Sequence, residues 1–312
     1  MTQTAVRLRP GDLVEVKAPE EILQTLDADG TLGQLPFMPE MVEFCGKRFL
    51  VSKRVLKTCY YTEKNAAGFR KFETDDVVLL DGLRCSGAEH DGCQKACMIF
   101  WREAWLRKVQ DAAVQTKLDA IASERLRARL KTSTGPKTYF CQASELLKPT
   151  QPLSQRERFE GCLTEVFVGN CSILEMAQRI GRWLFWRTRR KLLGEFAHGP
   201  NKSTPAESLN LQSGELIEVK SMESINQTLD ETGHNRGLFF FPDMHSLCGK
   251  QRRVERRIEK IIVDGTGEMR QLRNTVYLEN SHCGCVYALT GCPRGEFSYW
   301  REIWLRRSGN SH

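Results

Sequence analysis

Gly11-Asp-Leu-Val-Glu-Val-Lys17 and Gly214-Glu-Leu-Ile-Glu-Val-Lys220 are near-copies set 203 residues apart. Self-similarity at a fixed offset reports architecture more directly than local propensity does. The register runs on through Thr25-Leu-Asp27/Thr228-Leu-Asp230, Phe37/Phe240, Pro39/Pro242, Met41/Met244 and Cys45-Gly-Lys47/Cys248-Gly-Lys250. It continues through Val51/Val254, Arg54/Arg257 and Lys57/Lys260. After one shortening, Val78/Val276, Leu80/Leu278 and Cys85/Cys283 align, and both copies close on Trp-Arg-Glu-X-Trp-Leu-Arg, at 101–107 and 300–306. The expected organisation is a first β module (1–107), a basic helical insert (108–197), a linker rich in Gly, Pro, Ser and Asn (198–212) and a second β module (213–312).

Within a module, Leu13/Val14/Val16, Phe49/Val51/Val55 and Val77–Leu80 are short β-branched or aromatic runs bounded by Gly, Asp and Asn, which predicts strands. Glu20–Asp27, after Pro19, predicts one or two helical turns. The Gly-Asp-X-Val-X-Val opening with several short strands in under a hundred residues resembles a small β-barrel of the Src-homology type. That resemblance is to a fold and carries no active-site residues across. Phe100, Trp101, Ala104 and Trp105 share a helical face, and Asp111–Leu130, Ser144–Leu147 and Ile173–Phe196 also read as helix. The predicted fold class is therefore α+β: two related small β-barrel-like modules flanking a helical insert.

The chain has 312 residues, of which 40% are hydrophobic and 27% charged, the composition of a soluble globular protein. No apolar run approaches the ~18–20 residues needed to cross a bilayer, and the N-terminus lacks a secretion signal's apolar centre. A cytoplasmic location without a membrane span is expected, and there twelve cysteines suggest metal ligands or reactive thiols before disulfides. Residues 1–100 carry a net charge of −2, 101–212 of +8 and 213–312 of +1, so the basic excess lies in the middle.

Superposing the copies sorts the cysteines. Cys45 and Cys248 occur in both, in a setting that suits a small buried thiol. Cys59 and Cys97 are replaced together, by Ile262 and Glu296, as two members of one site would be. A ligand set that loses its metal leaves an unpaired nucleophile, so such sites tend to be kept or dismantled whole. The candidate set is Cys59, Cys85, Cys93 and Cys97, with Cys141 and His90 in reserve. Cys93 and Cys97, one helical turn apart, would sit at the start of the Trp101/Trp105 helix, where the helix N-terminus lowers thiol pKa. Four thiolates suit zinc or an iron–sulfur cluster. The absence of a Cys-X2-Cys knuckle near the site and the aromatic shell of Phe100, Trp101 and Trp105 tilt the choice towards iron–sulfur. Cys283, Cys285 and Cys292, with His282, are expected to be a decayed copy held by packing.

Gly181–Lys191 interleaves aromatic and basic residues: Arg182, Trp183, Trp186, Arg187, Arg189, Arg190 and Lys191 have the composition of a nucleic-acid surface. The plainer expectation turns Trp183, Leu184 and Trp186 inward and the arginines to water, with binding to a membrane surface a lesser option. The Trp-Arg-Glu-X-Trp-Leu-Arg motifs are expected to close each barrel, Arg and Glu pairing or capping backbone groups. Phosphate-loop, dinucleotide and nucleophile-elbow motifs are absent, and the six histidines form no tight cluster with glutamates. No reaction is identified. The leading expectation is a metalloprotein with a groove for a small molecule or protein partner between modules and insert. The alternatives are a nucleic-acid-binding protein with structural zinc and an interaction scaffold without metal.

Overall fold

A computed structural model of the chain describes residues 7–61, 67–109, 119–286, 288–290 and 294–308. The fold is mixed α+β, mostly sheet with few helices. Two compact units are formed, Met1–Met176 with Ile262–Arg270, and Ala177–Ile261 with Gln271–His312. Cys292 and the part of the expected insert helix before Asp119 lie outside the described residues.

The first unit opens with β1 (Leu13–Val16), α1 (Pro19–Leu23), the short ladder β2 (Thr31–Leu32) with β3 (Leu35–Pro36), β4 (Arg48–Arg54) and the hairpin β5 (Thr58–Tyr61) and β6 (Ala67–Phe72). There follow β7 (Val77–Arg84), β8 (Met98–Arg102) and β9 (Leu106–Lys108). The five longest-ranged strands form an antiparallel sheet in the order β8-β7-β4-β1-β9. Its edge strands β8 and β9 are joined by only a one-turn 3-10 helix, Glu103–Trp105. Four chain steps reach about 14 Å, whereas the edges of a flat five-stranded sheet lie about 19 Å apart. The sheet must curl, and it goes halfway to a barrel.

Residues 98–105 are therefore strand and 3-10 turn, which corrects the helix expected there. β8 is covered on both faces, so its apolar residues run continuously instead of alternating, and such a run imitates a buried helix. Register decides it, with Trp101 opposite Val78 and Phe100 opposite Leu79. Ser144–Leu147 is likewise turn, not helix. Beyond β9 come α2 (Ala120–Arg129), β10 (Ser133–Gly135), β11 (Thr138–Tyr139), β12 (Thr150–Pro152), α3 (Gln155–Phe167) and α4 (Ile173–Leu193). The sequence reading missed α3, which starts on a capping box of Ser154 and Glu157.

The second half contains β13 (Leu216–Val219), α5 (Met222–Asn226), β14 (His234–Asn235), β15 (Leu238–Phe239), β16 (Gln251–Arg257), β17 (Lys260–Ile262) and β18 (Met269–Gln271). It ends with β19 (Thr275–Leu278), β20 (Trp300–Arg301) and β21 (Leu305–Arg307), in a sheet of order β20-β19-β16-β13-β21. Leu13 faces Leu50 and Leu216 faces Arg253, the same pairing at the 203-residue offset.

Each sheet wraps around one phenylalanine. Phe37 meets Trp101 and Trp105 edge-on at 6.2 and 5.1 Å, and Phe240 meets Trp300 and Trp304 at 6.1 and 5.2 Å. All four tryptophans are fully buried. The glutamate of each Trp-Arg-Glu-X-Trp-Leu-Arg motif pairs with the arginine that ends β4 or β16, not with its own neighbour: Glu103 with Arg54 and Glu302 with Arg257. Glu302 also accepts backbone N–H bonds from Leu209, Asn210 and Leu211, which fixes the end of the expected linker against the second sheet.

Candidate metal centre

β7 ends at Arg84, and residues 85–97 loop back irregularly to β8, closed by a hydrogen bond from the Cys85 N–H to the Cys97 carbonyl (2.8 Å). The loop turns at Gly87, where φ is +71° and an added Cβ would lie 2.0 Å from the Cys93 carbonyl oxygen. Only glycine fits that position. Gly87→Ala is expected to destabilise the first unit by about 1–3 kcal/mol more than Gly82→Ala, measured by denaturant unfolding. Gly82 has nearly the same φ but nothing within 4 Å of its Cβ position, so equal losses would refute the steric argument.

The loop brings Cys85, Cys93 and Cys97 to one small cavity of about 20 Å³, which Cys141 and His90 also line. Cys59 is buried on β5, opposite Phe69, and is not among the lining residues. Its replacement together with Cys97 in the second copy thus has no counterpart in this lining. Ile262, the residue matching Cys59 in that copy, takes part instead: its backbone N–H donates to Cys93 Sγ at 3.3 Å.

Cys141 is held from both sides. Ser144 Oγ accepts from the Cys141 N–H (2.9 Å) and donates to its carbonyl (3.0 Å). The adjacent Gln142 side chain continues the ladder of β8, accepting from the Phe100 N–H and donating to the Phe100 carbonyl, both at 2.8 Å. The segment Ile262–Arg270 completes the wall. Lys95, buried, pairs with buried Asp264; Gly265 donates to the Ala143 carbonyl, and Tyr139 donates to that of Gly267.

His90 is fully buried between two acceptors. Nδ1 lies 2.6 Å from Glu40 Oε1 and Nε2 lies 2.9 Å from the Phe140 carbonyl oxygen. A carbonyl only accepts, so Nε2 carries a proton. Burial works against charge on both partners, but the hydrogen bond and charge of each outweigh it, holding Glu40 below and His90 above its ordinary pKa. Both directions favour the charged forms, an imidazolium beside a carboxylate.

Cys85 Sγ stands 3.8 Å from the same Glu40 oxygen. Glu40, Cys85 and His90 each offer a ligand atom within 4.8 Å of the others, a cluster that could hold a metal ion. Burial pushes the Cys85 thiol well above its usual range, with Glu40, Cys97 and Cys141 adding to the shift, and raises Cys141 to about 11. The helix N-terminus expected at Cys93 and Cys97 is absent, because no helix begins at Cys93. Buried thiols become thiolates when a cation compensates the charge.

Glu40 was not anticipated from the sequence. A signal existed, since Asp243 is its acidic counterpart at the 203-residue offset. In the second unit, Cys283 donates through its backbone N–H to the Glu296 carbonyl (2.7 Å), repeating the Cys85–Cys97 closure. The residue at the Cys97 position is now Glu296, in a buried ion pair with Arg294 at 2.7 Å, while Asp243 accepts from the Gly284 N–H. A salt bridge stands where the first unit has a thiol.

On α4, Trp183 and Trp186 are half-buried and already covered: Arg187 lies 5.0 Å over Trp183, and Arg189 lies 5.8 Å over Trp186. Arg190 pairs with Glu195, and Arg182 and Lys191 are exposed. Leu184 is exposed, not turned inward as expected. No helix among the described residues is long and apolar enough to cross a membrane. Among those residues no cysteine is in a disulfide. Compared with protein-family models, with curated proteins and with solved structures, the chain has no match.

Proposed function

We propose that the chain is a zinc-binding protein whose metal is held by Cys85, Cys93, Cys97 and Cys141 and fastens the 85–97 loop, the 141 segment and Ile262–Arg270 together. The observation that carries the reading is that those four thiols line one cavity; their sulfurs draw together on the ion, since the group of ligand atoms within 4.8 Å of one another among the described residues is Glu40, Cys85 and His90. Four sulfurs suit a closed, tetrahedral structural site. The N–H bond to Cys93 Sγ and the Gln142 brace beside Cys141 are the outer-layer contacts that orient ligands. His90 and Glu40 act as a brace outside the sulfur set, because a metal in their cluster would cost His90 one of its two hydrogen bonds.

Volume favours zinc over the iron–sulfur cluster. A cavity of about 20 Å³ holds little more than one water-sized body, which takes about 10–15 Å³. That is room for one ion and not for a cluster of several irons and sulfides. The wider reading is that each half is a copy of one small barrel module of the Src-homology type, and that the first copy kept a metal where the second adopted Arg294–Glu296. Elemental analysis and an absorption spectrum of protein purified without oxygen test this. One zinc per chain and no visible absorption are expected; iron with acid-labile sulfide, or no stoichiometric metal, would overturn it.

A further inference from the structure

The helix α4 wears its apolar face outward. At 3.6 residues per turn, Ile173, Leu174, Leu184, Phe185 and Leu192 fall on one side, and all are between 49% and 77% exposed. The small residues Ala177 and Gly181 continue that side and are exposed too. The opposite side supplies the helix's packing, through buried Met176 and half-buried Ile180, Trp183 and Trp186. An apolar stripe about 30 Å long, at 1.5 Å per residue, broken by Thr188 alone, is more than scattered surface leucines.

The charge beside the stripe selects its occupant. α4 contains one acidic residue, Glu175, and six basic ones, for a net charge of +5. Arg182 and Arg189 border one edge of the stripe, Arg187 and Lys191 the other. A second copy would set two such helices against each other at a repulsive cost. A nucleic acid would take up the cations through its phosphates but leave the aliphatic side chains of Ile173, Leu174, Leu184 and Leu192 in water. An anionic lipid surface satisfies both features, taking the aliphatic stripe into the acyl boundary and the cations at the headgroups.

We propose that α4 is an interfacial helix that docks the protein on anionic membranes. It lies in the plane of the surface with Phe185 and Leu192 inserted.

Cosedimentation of the full chain with vesicles of about one-third phosphatidylglycerol in phosphatidylcholine, against pure phosphatidylcholine, tests it. At low salt, anionic vesicles should bind at least about tenfold more strongly, and added salt should weaken the difference. Phe185→Asp and Leu192→Asp, both at exposed positions, should each lower binding about tenfold or more with unfolding curves unchanged. Lys191→Gln should lower it about fivefold, the effect of one surface cation. No preference for anionic vesicles, or undiminished binding by both Asp variants, overturns the proposal. A dimer in sedimentation equilibrium that Phe185→Asp dissociates would also overturn it and assign the stripe to a second copy.

Discussion

Replacing any one of Cys85, Cys93, Cys97 or Cys141 by serine should abolish stoichiometric zinc, while Cys59→Ser should leave it at one per chain. A serine hydroxyl is a poor substitute for a thiolate, and a closed structural site has no spare ligand. Cys59 supplies the contrast because it is more buried than any of the four but lies on β5, outside the cavity lining. The effect on stability should be large. Structural zinc is worth about 10–16 kcal/mol of apparent binding energy in small zinc peptides. Even a fraction of that exceeds the loss of about 1 kcal/mol usual for a single substitution. The readouts are metal content after dialysis and hydrogen exchange of Ile262–Arg270, whose backbone bonds to Cys93 and Ala143 should open when the metal leaves. Full zinc retention by Cys141→Ser would remove that residue from the set. Unchanged exchange in zinc-free protein would show that the metal does not fasten the segment.

Strands β1, β4 and β7 were legible because each is short, carries β-branched residues and is bounded by turn residues, and the 203-residue offset extended the reading to β13, β16 and β19. Trp101 and Trp105 misled for a physical reason: a strand covered on both faces has no alternation to display. The same ambiguity carried into the thiols. Once a helix was placed at Phe100–Trp105, Cys93 and Cys97 gained a helix N-terminus that the structure lacks. Three of the lining cysteines were readable from local spacing because one loop carries them all. Cys141 comes from a distant turn, positioned by Gln142 bonding to Phe100, and no sequence pattern encodes a side chain that imitates a strand. Asp264 and Ile262 were hidden for a further reason, since the residues that match them at the 203-residue offset, Tyr61 and Cys59, lie on β5 and do not line the cavity. Comparing the two halves detects what they share, and the candidate centre is built from what they do not.

In the second unit, Glu302→Ala should cost about 3–5 kcal/mol, the range for removing one partner of a buried ion pair. The Glu302 side chain is 0% exposed and accepts from Arg257 at 2.6 Å, and from the backbone N–H groups of Leu209, Asn210 and Leu211. Truncation strands four donors at once, and the Leu211 N–H lies where water cannot replace the lost oxygen. Glu103→Ala, at the matching place in the first unit, should cost less. Glu103 is 15% exposed and accepts one backbone bond, from Leu8, besides its ion pair. Arg54 would keep the carbonyls of Leu8 and Asp75 after the change. Denaturant unfolding of the two variants, followed by tryptophan fluorescence, measures the difference directly, since Trp304 and Trp105 report on their own cores. Glu302→Gln separates charge from hydrogen bonding: it retains an acceptor oxygen but leaves Arg257 without a carboxylate, so an intermediate loss is expected. Equal costs at 103 and 302 would mean that the ion pair alone sets the energy. A cost at 302 that Gln fully restores would assign it to the backbone bonds that hold residues 209–211 on the sheet.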